Sequence, residues 1–406
     1  MENKRFIQNQ SDKSRHCEEQ SDEAISKTLG DCHVGTNVPP RNNEKNRYAV
    51  LLVNFGGPDS LRSVKPFLYN LFSDPTVLNF PFAFLYRKPL AWLISNMRNN
   101  ASSEMYKKIG SMSPLIPITY LQAEKLQNLF TKNDLLVDVF IGFRYCKPLI
   151  KDVLSKISSG NYERLIILPL YPQYSYTTTG SAELEVNSWL KACHCEERPL
   201  ATLGAGSTIS NKKTIGIAPS ARNDMKIHFI KHWYKDEDYI ESYTQLINNS
   251  LSNLDLRSTE IIFSAHSIPV FNIENGDPYQ KHISETADLI ISKLGWKKRW
   301  HIAYQSKLGP IKWLEPGTDK VIEQIAKKNK KTNILVVPIS FVCEHVETIF
   351  EIGMLYKEIA NKLGIKRFAR VPALNTDKYL IQALYNQVVN CLENNEVKIK
   401  EFFLTK

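Results

Sequence analysis

The stretch Glu260-Ile-Ile-Phe-Ser-Ala-His266-Ser-Ile-Pro269 decides the fold, because an apolar strand carries a histidine to its carboxyl end and then stops at a proline. In open parallel α/β sheets, ligands bind at the carboxyl ends of the strands. A single histidine is more often a hydrogen-bonded core residue than a functional one. The position of His266 at a strand end, between Ser264 and Ser267, favours a functional role.

A second strand-like run, residues 334–340, leads into a segment rich in carboxylates. Glu344, Glu347 and Glu351 follow one another at spacings of three and four, so on a helix they are expected to line one face. Such a ladder is ordinarily a solvated surface, but apolar residues occupy the neighbouring stripe. Like charges at this spacing repel, and a cation or shared protons would relieve the repulsion. We therefore predict that His266 and this ladder bind a divalent cation and accept protons.

Eight strand-like runs alternate with helical patterns along the chain, which is typical of parallel sheets in α/β proteins. The runs fall into two sets of four, so we predict two similar Rossmann-like halves, each with a four-stranded parallel sheet. The predicted strands span residues 49–55, 137–143, 164–170, 226–233, 260–265, 300–305, 333–339 and 368–371. The predicted helices between them include residues 118–130, 148–157, 285–294, 320–328 and 345–363.

This pattern divides the chain into five segments. We predict a polar, disordered extension over residues 1–46, a first half over 47–190, an inserted mobile segment over 191–224, a second half over 225–375, and a closing helix and tail over 376–406. The extension and the insertion each contain His-Cys-Glu-Glu, but this spacing fits no zinc or iron–sulfur cage. Both are interpreted as inserted surface segments, and residues 377–392 as a helix that packs across either half.

Bulk properties narrow the class of protein. A length of 406 residues favours two domains, and the net charge of +10 favours acidic small molecules, an anionic membrane surface or nucleic acid as partners. Lysines and arginines are dispersed and form no nucleic-acid-binding motif, so we expect no nucleic acid partner. The polar amino terminus lacks the apolar core of a signal peptide, and the seven cysteines include no C-x-x-C pair. We predict a cytoplasmic protein.

The stretch from Phe80 to Ile94 is the part of the chain that comes nearest to a membrane segment. It is broken by two charges and two prolines, and it is too short to span a bilayer. Two interpretations stay open. It is either a core or interface helix, or an apolar lip with a basic edge that touches a membrane or admits a hydrophobic ligand.

Aromatic and basic residues recur at several predicted strand ends. Arg144 and Tyr145 end the second strand, either as an anion clamp with a stacking ring or as a surface arginine beside a packed aromatic. Tyr176 follows the third strand, and Lys307 and Trp313 follow a later one. The repetition predicts a cleft for a large, flat, anionic aromatic ligand.

Six motifs together resemble those of bacterial-type ferrochelatases, over about residues 48–392 except the insertion. They lie at residues 54–58, 142–145, 168–181, 263–269, 304–319 and 344–351. The resemblance implies insertion of Fe²⁺ into protoporphyrin IX to give protohaem, the terminal step of haem biosynthesis. It also implies two Rossmann-like halves that enclose a porphyrin cleft.

The resemblance further implies a set of site residues. His266 and Glu347 would form the iron site and perform catalysis, with Glu344, His345 and Glu351 as an acidic path. The porphyrin site would be lined by Arg144, Tyr145, Tyr176, Lys307 and Trp313. Fe²⁺ is then a substrate. Some relatives carry a carboxyl-terminal [2Fe–2S] cluster, but the tail after Asn375 contains only Cys391, so no iron–sulfur cluster is predicted.

Two other functions fit part of this pattern. A cobalt or nickel chelatase would act on a more hydrophilic tetrapyrrole, against which the apolar lip argues. A non-catalytic haem or porphyrin carrier would need the aromatic cleft but not the three carboxylates. The sequence also leaves open whether His266 acts as a base or as a metal ligand, and whether a cytoplasmic protein would lie peripherally at the inner face of the membrane.

Overall fold

The computed structural model describes residues 47–77, 83–196, 225–307, 309 and 311–393. The expectations for the extension 1–46, for residues 197–224 of the insertion and for the tail beyond residue 393 lie outside the described residues. Within the described residues, no helix is long and apolar enough to cross a membrane.

The first half is built on a parallel sheet with the strand order β2-β1-β3-β4. The central strand β1 pairs with both neighbours, so that Leu51 lies opposite Phe140 on one side and Ile167 on the other. The runs are apolar without alternation because both faces of the sheet are covered. The strands are β1 (Tyr48–Asn54), β2 (Val137–Phe143), β3 (Arg164–Pro169) and β4 (Lys226–Phe229).

The second half repeats this arrangement with the order β6-β5-β7-β8, again entirely parallel. Ile262 of the central strand β5 pairs with His301 and Val336. The strands are β5 (Thr259–His266), β6 (Trp300–Gln305), β7 (Asn333–Pro338) and β8 (Arg367–Arg370). The prediction of an α/β protein with two similar four-stranded parallel sheets is confirmed.

Helices follow or separate the strands, as right-handed parallel connections require. In the first half they are α1 (Val64–Phe72), α2 (Ala83–Lys107), α3 (Leu115–Lys132), α4 (Ile150–Ser158) and α5 (Thr179–Glu196). In the second half they are α6 (Glu237–Leu251), α7 (Val270–Glu274), α8 (Tyr279–Leu294), α9 (Thr318–Lys328), α10 (Lys357–Lys362) and α11 (Lys378–Glu393). Helix α5 continues through residue 196, past the residue at which we expected the insertion to begin.

The segment after β7 departs from the prediction of a single helix over residues 345–363. A π-helix spans Glu347–Tyr356 and passes directly into α10. Its i→i+5 hydrogen bonds put more residues into each turn than an α-helix does, so residues three apart separate while residues four apart remain neighbours. π-Helical turns are frequent at functional sites.

Helix α11 joins the two halves. It packs against α6 of the second half and against α3 and β3 of the first. The ring of Tyr385 lies 5.2 Å from that of Phe130, and Ser242 donates a 2.6 Å hydrogen bond to Asp377 at the start of the helix. One apolar core therefore contains side chains from both halves.

A buried polar seam also connects the halves. Asn54 at the end of β1 donates a 2.9 Å hydrogen bond to Thr119 of α3. Gln122, also in α3, donates a 2.6 Å hydrogen bond to the carbonyl of Asn375 in the second half. The thiol of Cys343 donates to the Gln122 side-chain oxygen at 3.3 Å. Because buried polar groups are costly unless paired, this seam fixes the register of one half on the other.

The packing of α11 predicts that Leu384→Ala destabilises the protein by about 2–5 kcal/mol, because the side chain is fully buried and leaves a cavity. Leu121→Ala on α3, where the side chain is 48% exposed, is the matched control and should change stability by less than about 0.5 kcal/mol. Urea unfolding measures both. Equal stability of the two variants would show that α11 is not part of the core.

Candidate active site

His266 is the last residue of β5, where the chain leaves the sheet. Its backbone N–H donates to the Ser340 hydroxyl at 3.0 Å, and its carbonyl accepts a 3.0 Å hydrogen bond from the Tyr279 hydroxyl. The backbone on both sides of the imidazole is therefore held by neighbouring elements. The side chain itself is 39% exposed, so the ring is accessible from solvent.

Glu347 faces His266 from the first turn of the π-helix. The distance from His266 Nδ1 to Glu347 Oε2 is 2.8 Å. Burial alone would lower the pKa of His266, but the Glu347 carboxylate outweighs burial and raises that pKa. Burial would likewise raise the pKa of Glu347, yet His266 lowers it to about 2. The pair therefore favours a charged carboxylate beside an imidazole that binds a proton readily.

Glu351 lies beside this pair, four residues along the π-helix. Its Oε1 accepts hydrogen bonds of 3.0 Å from the backbone N–H of Ser306 and of 3.0 Å from the Tyr356 hydroxyl. The Ser306 hydroxyl contacts Glu351 Oε2 and also Glu347 Oε2, the latter at 3.0 Å. Burial, and then the charge of Glu347, raise the pKa of Glu351. The two carboxylates thus have opposite pKa shifts.

The structure corrects the expected ladder of three carboxylates, because Glu344 precedes the π-helix. Its Oε1 forms a 2.6 Å ion pair with Arg370 and accepts the backbone N–H of Ala373 at 3.0 Å, while Oε2 is contacted by the Thr348 hydroxyl. Glu347 and Glu351 are joined through Ser306, whereas Glu344 belongs to a separate pair. A role for Glu344 in an acidic path stays a prediction.

His345 is buried, and in the chain it lies between Glu344, which pairs with Arg370, and Glu347. Its Nδ1 accepts the backbone N–H of Glu347 at 3.0 Å, so in the neutral ring Nε2 carries the proton. Nε2 is buried and has no hydrogen-bond partner within the described part of the chain. Burial lowers the pKa of His345, which favours this neutral tautomer. His345 therefore stabilises the first turn of the π-helix directly.

Arg144 and Tyr145 are in a different environment from the one expected for porphyrin-lining residues. Arg144 pairs with Asp74 at 2.8 Å and with Glu185 at 3.2 Å. The Tyr145 ring is 1% exposed, packs against Phe55 at 4.6 Å and donates its hydroxyl to Asp74 at 2.8 Å. In this structure protein carboxylates pair with the Arg144 guanidinium and the Tyr145 ring lies in the core, so contact of either residue with a porphyrin stays a prediction.

Three other predicted porphyrin residues remain at or near the surface. Tyr176 is 38% exposed, and its hydroxyl donates to the carbonyl of Asn275 at 3.3 Å. Lys307, which follows Ser306, forms a 3.1 Å ion pair with the more exposed Glu315. Trp313 is half-buried, and its backbone forms an isolated antiparallel β-bridge with Pro269, which lies shortly after His266 in the chain. These positions are compatible with contact to a ligand, which stays a prediction.

Helix α2 of the first half reaches the site from the opposite side. The Glu347 charge contributes to raising the pKa of Tyr106, after the larger effect of burial. The Lys108 ammonium lies 5.2 Å from the ring of Phe350 on the π-helix. Val346 packs against the apolar cluster that contains Tyr106. Residues from both halves of the chain therefore lie beside the metal-site candidate.

Sequence reasoning missed Ser306 and Tyr356 as members of the site. Ser306 adopts φ 63°, which is unusual for a residue other than glycine and is not signalled by its sequence neighbours. Tyr356 lies in a stretch read as ordinary helix. Asp74, the buried partner of Arg144, is 70 residues away in the chain and gave no signal except its place before a proline.

Across the described residues, no group of three or more His, Cys, Asp or Glu side chains is arranged to hold a metal ion.

The fold and the site together define an α/β protein in which an imidazole and a carboxylate are paired at a sheet edge. A family model described as ferrochelatase matches residues 47–392. The chain is 40% identical to a ferrochelatase of Synechococcus elongatus over 360 residues, covering 88% of this chain and 86% of the relative. It is 41% identical to a ferrochelatase of Trichodesmium erythraeum over 351 residues, covering 86% and 83%.

The chain belongs to the ferrochelatase family. It is thus an enzyme of porphyrin metallation, in which Fe²⁺ is a substrate and protohaem the product, and its place is in haem biosynthesis. The carrier and the cobalt or nickel chelatase are not favoured. Among solved structures, SirB from Bacillus subtilis with Fe³⁺ aligns with a TM-score of 0.46 at 11% identity, covering 87% of this chain and 98% of SirB.

The electrostatics of the pair predict that Glu347→Gln lowers the pKa of His266, because the charge that raises this pKa most is removed while burial remains. NMR titration of the His266 ring protons measures this change. Glu358→Gln, which alters an exposed carboxylate paired with Lys362, is the control and should leave the pKa of His266 unchanged. An unaltered His266 pKa in Glu347→Gln would rule out direct coupling of the pair.

Proposed function

We propose that His266 and Glu347 are the residues at which Fe²⁺ replaces the two pyrrole protons of protoporphyrin IX. The observation that carries this assignment is the 2.8 Å contact between Nδ1 and Oε2 at the carboxyl edge of the second sheet. Because Nδ1 is engaged with the carboxylate, Nε2 is the ring nitrogen with which His266 meets the substrate. A carboxylate behind an imidazole fixes the tautomer and orientation of the ring.

The reaction needs two things at once: the hydrated dication must lose water, and two N–H protons must leave the macrocycle. In the neutral ring the Nδ1 proton is donated to Glu347, so Nε2 offers a lone pair. That lone pair can take a pyrrole proton or ligate iron. The raised pKa of His266 favours proton acceptance, and the low pKa of Glu347 keeps a negative charge beside the resulting imidazolium.

Porphyrin contacts are assigned by what remains accessible. The candidates are Tyr176, Lys307 and Trp313. Each lies near a strand end, and the side chain is exposed in Tyr176 and Lys307 and half-buried in Trp313. Lys307 would bind a propionate as a point charge in exchange for its exposed partner Glu315. Arg144 would act indirectly, by holding the loop around Asp74.

Anaerobic assays with Fe²⁺ and protoporphyrin IX test the residue assignment. Haem absorbance should rise with the wild-type protein, whereas His266→Ala and Glu347→Gln should lower turnover by about 10²–10⁴-fold. Porphyrin fluorescence titration should show that both variants still bind the macrocycle. Lys362→Ala, an exposed change on α10, is the control. Normal turnover in either site variant would refute the assignment, and porphyrin binding without metallation in the wild type would instead favour a carrier.

We also propose that α2 contacts a membrane surface, as one of the two interpretations of residues 80–94 allowed. Leu85, Tyr86, Trp92 and Leu93 are all about half exposed or more. Their spacing of seven residues puts Leu85 with Trp92, and Tyr86 with Leu93, on the same side of the helix. Exposed apolar patches of this kind mark contact surfaces. Exposed Lys88 adds a positive charge suited to anionic lipid. The location we propose is cytoplasmic and peripheral to the inner face of the membrane.

Vesicle sedimentation tests this contact. Trp92→Ser should weaken binding to phosphatidylglycerol vesicles by about tenfold or more, since burial of one large apolar side chain contributes about 1.5–3 kcal/mol. Leu121→Ser, which removes an exposed leucine from α3, should have no effect. If both variants bind vesicles as the wild type does, the patch on α2 has another role.

A further inference from the structure

We infer that the amino-terminal edge of the second sheet is a docking surface for an acidic segment of another protein, one that also inserts a bulky apolar side chain. The surface lies at the opposite end of the sheet from His266, since β5 has eight residues and spans roughly 25 Å. It is therefore separate from the proposed iron site, and the inference does not depend on the proposed function.

The fold brings together basic side chains that are far apart in the chain. Strands β5, β6, β7 and β8 are parallel, so the loops that enter them lie at one edge of the sheet. The backbone N–H of Lys366 donates a 2.9 Å hydrogen bond to the carbonyl of Lys330, which places two of these loops side by side. The basic edge consists of six exposed residues in the loops before β6, β7 and β8: Lys297, Lys298, Arg299, Lys330, Lys331 and Lys366.

The charges of the basic edge are not balanced by neighbouring carboxylates. Across the described part of the chain, none of its six side chains forms an ion pair. Lysines at the ends of α8 and α10 do have partners, since Lys293 pairs with Glu241 and Lys362 pairs with Glu358. The loops between each strand and the preceding helix contain one carboxylate, that of Asp255. Positive charges held close together repel one another, and a bound group of negative charge relieves that repulsion.

The first half shows that the fold does not require such an edge. At the corresponding edge of the first sheet, Arg47 pairs with Asp138 at 2.5 Å and Arg164 pairs with Glu163 at 3.6 Å. A further carboxylate, Asp134, lies in the loop before β2. Because the two sheets have the same strand order, the excess of positive charge comes from the sequence of the second half and not from its architecture.

A surface cavity of about 430 Å³ opens beside the basic edge, between the carboxyl ends of α6 and α8. Protein interfaces commonly combine apolar anchors in a pocket with a polar rim. Leu256 contributes to this cavity and is 48% exposed, so its apolar surface is accessible to a partner. The apolar lining comprises Leu251, Leu256, Leu294 and Trp296, and the adjoining basic lining comprises Lys297 and Lys298.

An apolar cavity with a basic rim fits a protein segment better than it fits other polyanions. Carboxylates of an acidic segment would pair with the lysines, while one leucine or tryptophan side chain would fill the cavity. A bilayer surface and duplex nucleic acid also present negative charge, but neither offers a protruding aliphatic or aromatic side chain. Binding at this edge leaves the carboxyl edge free, so the partner and the porphyrin do not compete for the same surface.

Fluorescence anisotropy with a labelled synthetic peptide, in which glutamates flank a central leucine–tryptophan pair, tests the docking surface. The triple variant Lys297→Glu, Lys298→Glu and Arg299→Glu should weaken peptide binding about tenfold or more, because three attractive charges become repulsive. The matched control reverses three exposed lysines of the first half and gives the same net charge, so binding should change less than about twofold. Its substitutions are Lys132→Glu, Lys151→Glu and Lys191→Glu. Melting temperatures from circular dichroism show whether both variants are folded.

The cavity is tested by a separate variant. Leu256→Ala should weaken binding of the peptide about fivefold, since part of the apolar contact is removed. A second peptide, in which alanines replace the leucine–tryptophan pair, should bind the wild type more weakly and should not distinguish it from Leu256→Ala. Added salt should weaken binding of both peptides to the wild type, because exposed charges are screened.

Three results would overturn the inference. The first is the absence of saturable peptide binding by the wild type, or equal binding by the wild type and the triple variant. The second is an equal loss in the triple variant and its control, which would assign the effect to net charge alone. The third is tighter binding of duplex DNA or phosphatidylglycerol vesicles than of the peptide, lost in the triple variant, which would make the edge a surface for nucleic acid or lipid.

Discussion

The contact between the His266 imidazole and the Glu347 carboxylate is the interaction on which the rest of the site depends. Each group would be destabilised by burial without the other, and together they keep opposite charges within hydrogen-bonding distance. The supporting elements are arranged around that pair. Ser340 and Tyr279 hold the backbone of His266, while the π-helix begins at Glu347 and positions Glu351 behind it. A site of this kind needs two strand ends, and adjacent strands of one parallel sheet supply them.

The two halves share a strand order but not a chemistry. In the second half, the carboxyl edge of the sheet presents an accessible imidazole. In the first half, Arg144 at the corresponding edge is neutralised by Asp74 and Glu185, and Tyr145 is packed into the core. In this structure that edge contacts the loop around Asp74 and the apolar cluster that includes residues of α2. Similar folds carry different functions because function depends on the side chains placed at their edges.

Much of the architecture was predictable from the sequence, because strands buried on both faces read as continuous apolar runs and strands β2 and β6 were predicted to the residue. His266 and the three glutamates were singled out because a strand end and an acidic segment are visible in a local pattern, whereas the pairing of His266 with Glu347 was implied by the resemblance. The π-helix was not predicted, because side chains four residues apart are neighbours on an α-helix as well. The contacts of Ser306 and Arg144 were not predicted either. Those of Ser306 depend on its backbone angle, and those of Arg144 depend on a partner 70 residues away in the chain.

The place of α11 in the core has a consequence for how the chain is made. Proteins are synthesised from the amino terminus, and domains generally fold in that order. Here the apolar surface of α3 and β3 in the first half is covered by a helix that begins at Lys378. The first half therefore leaves the ribosome with part of its core uncovered, and it stays so until α11 has emerged. Completion of either half has to wait for α11, so the protein matures as one unit although it is built as two.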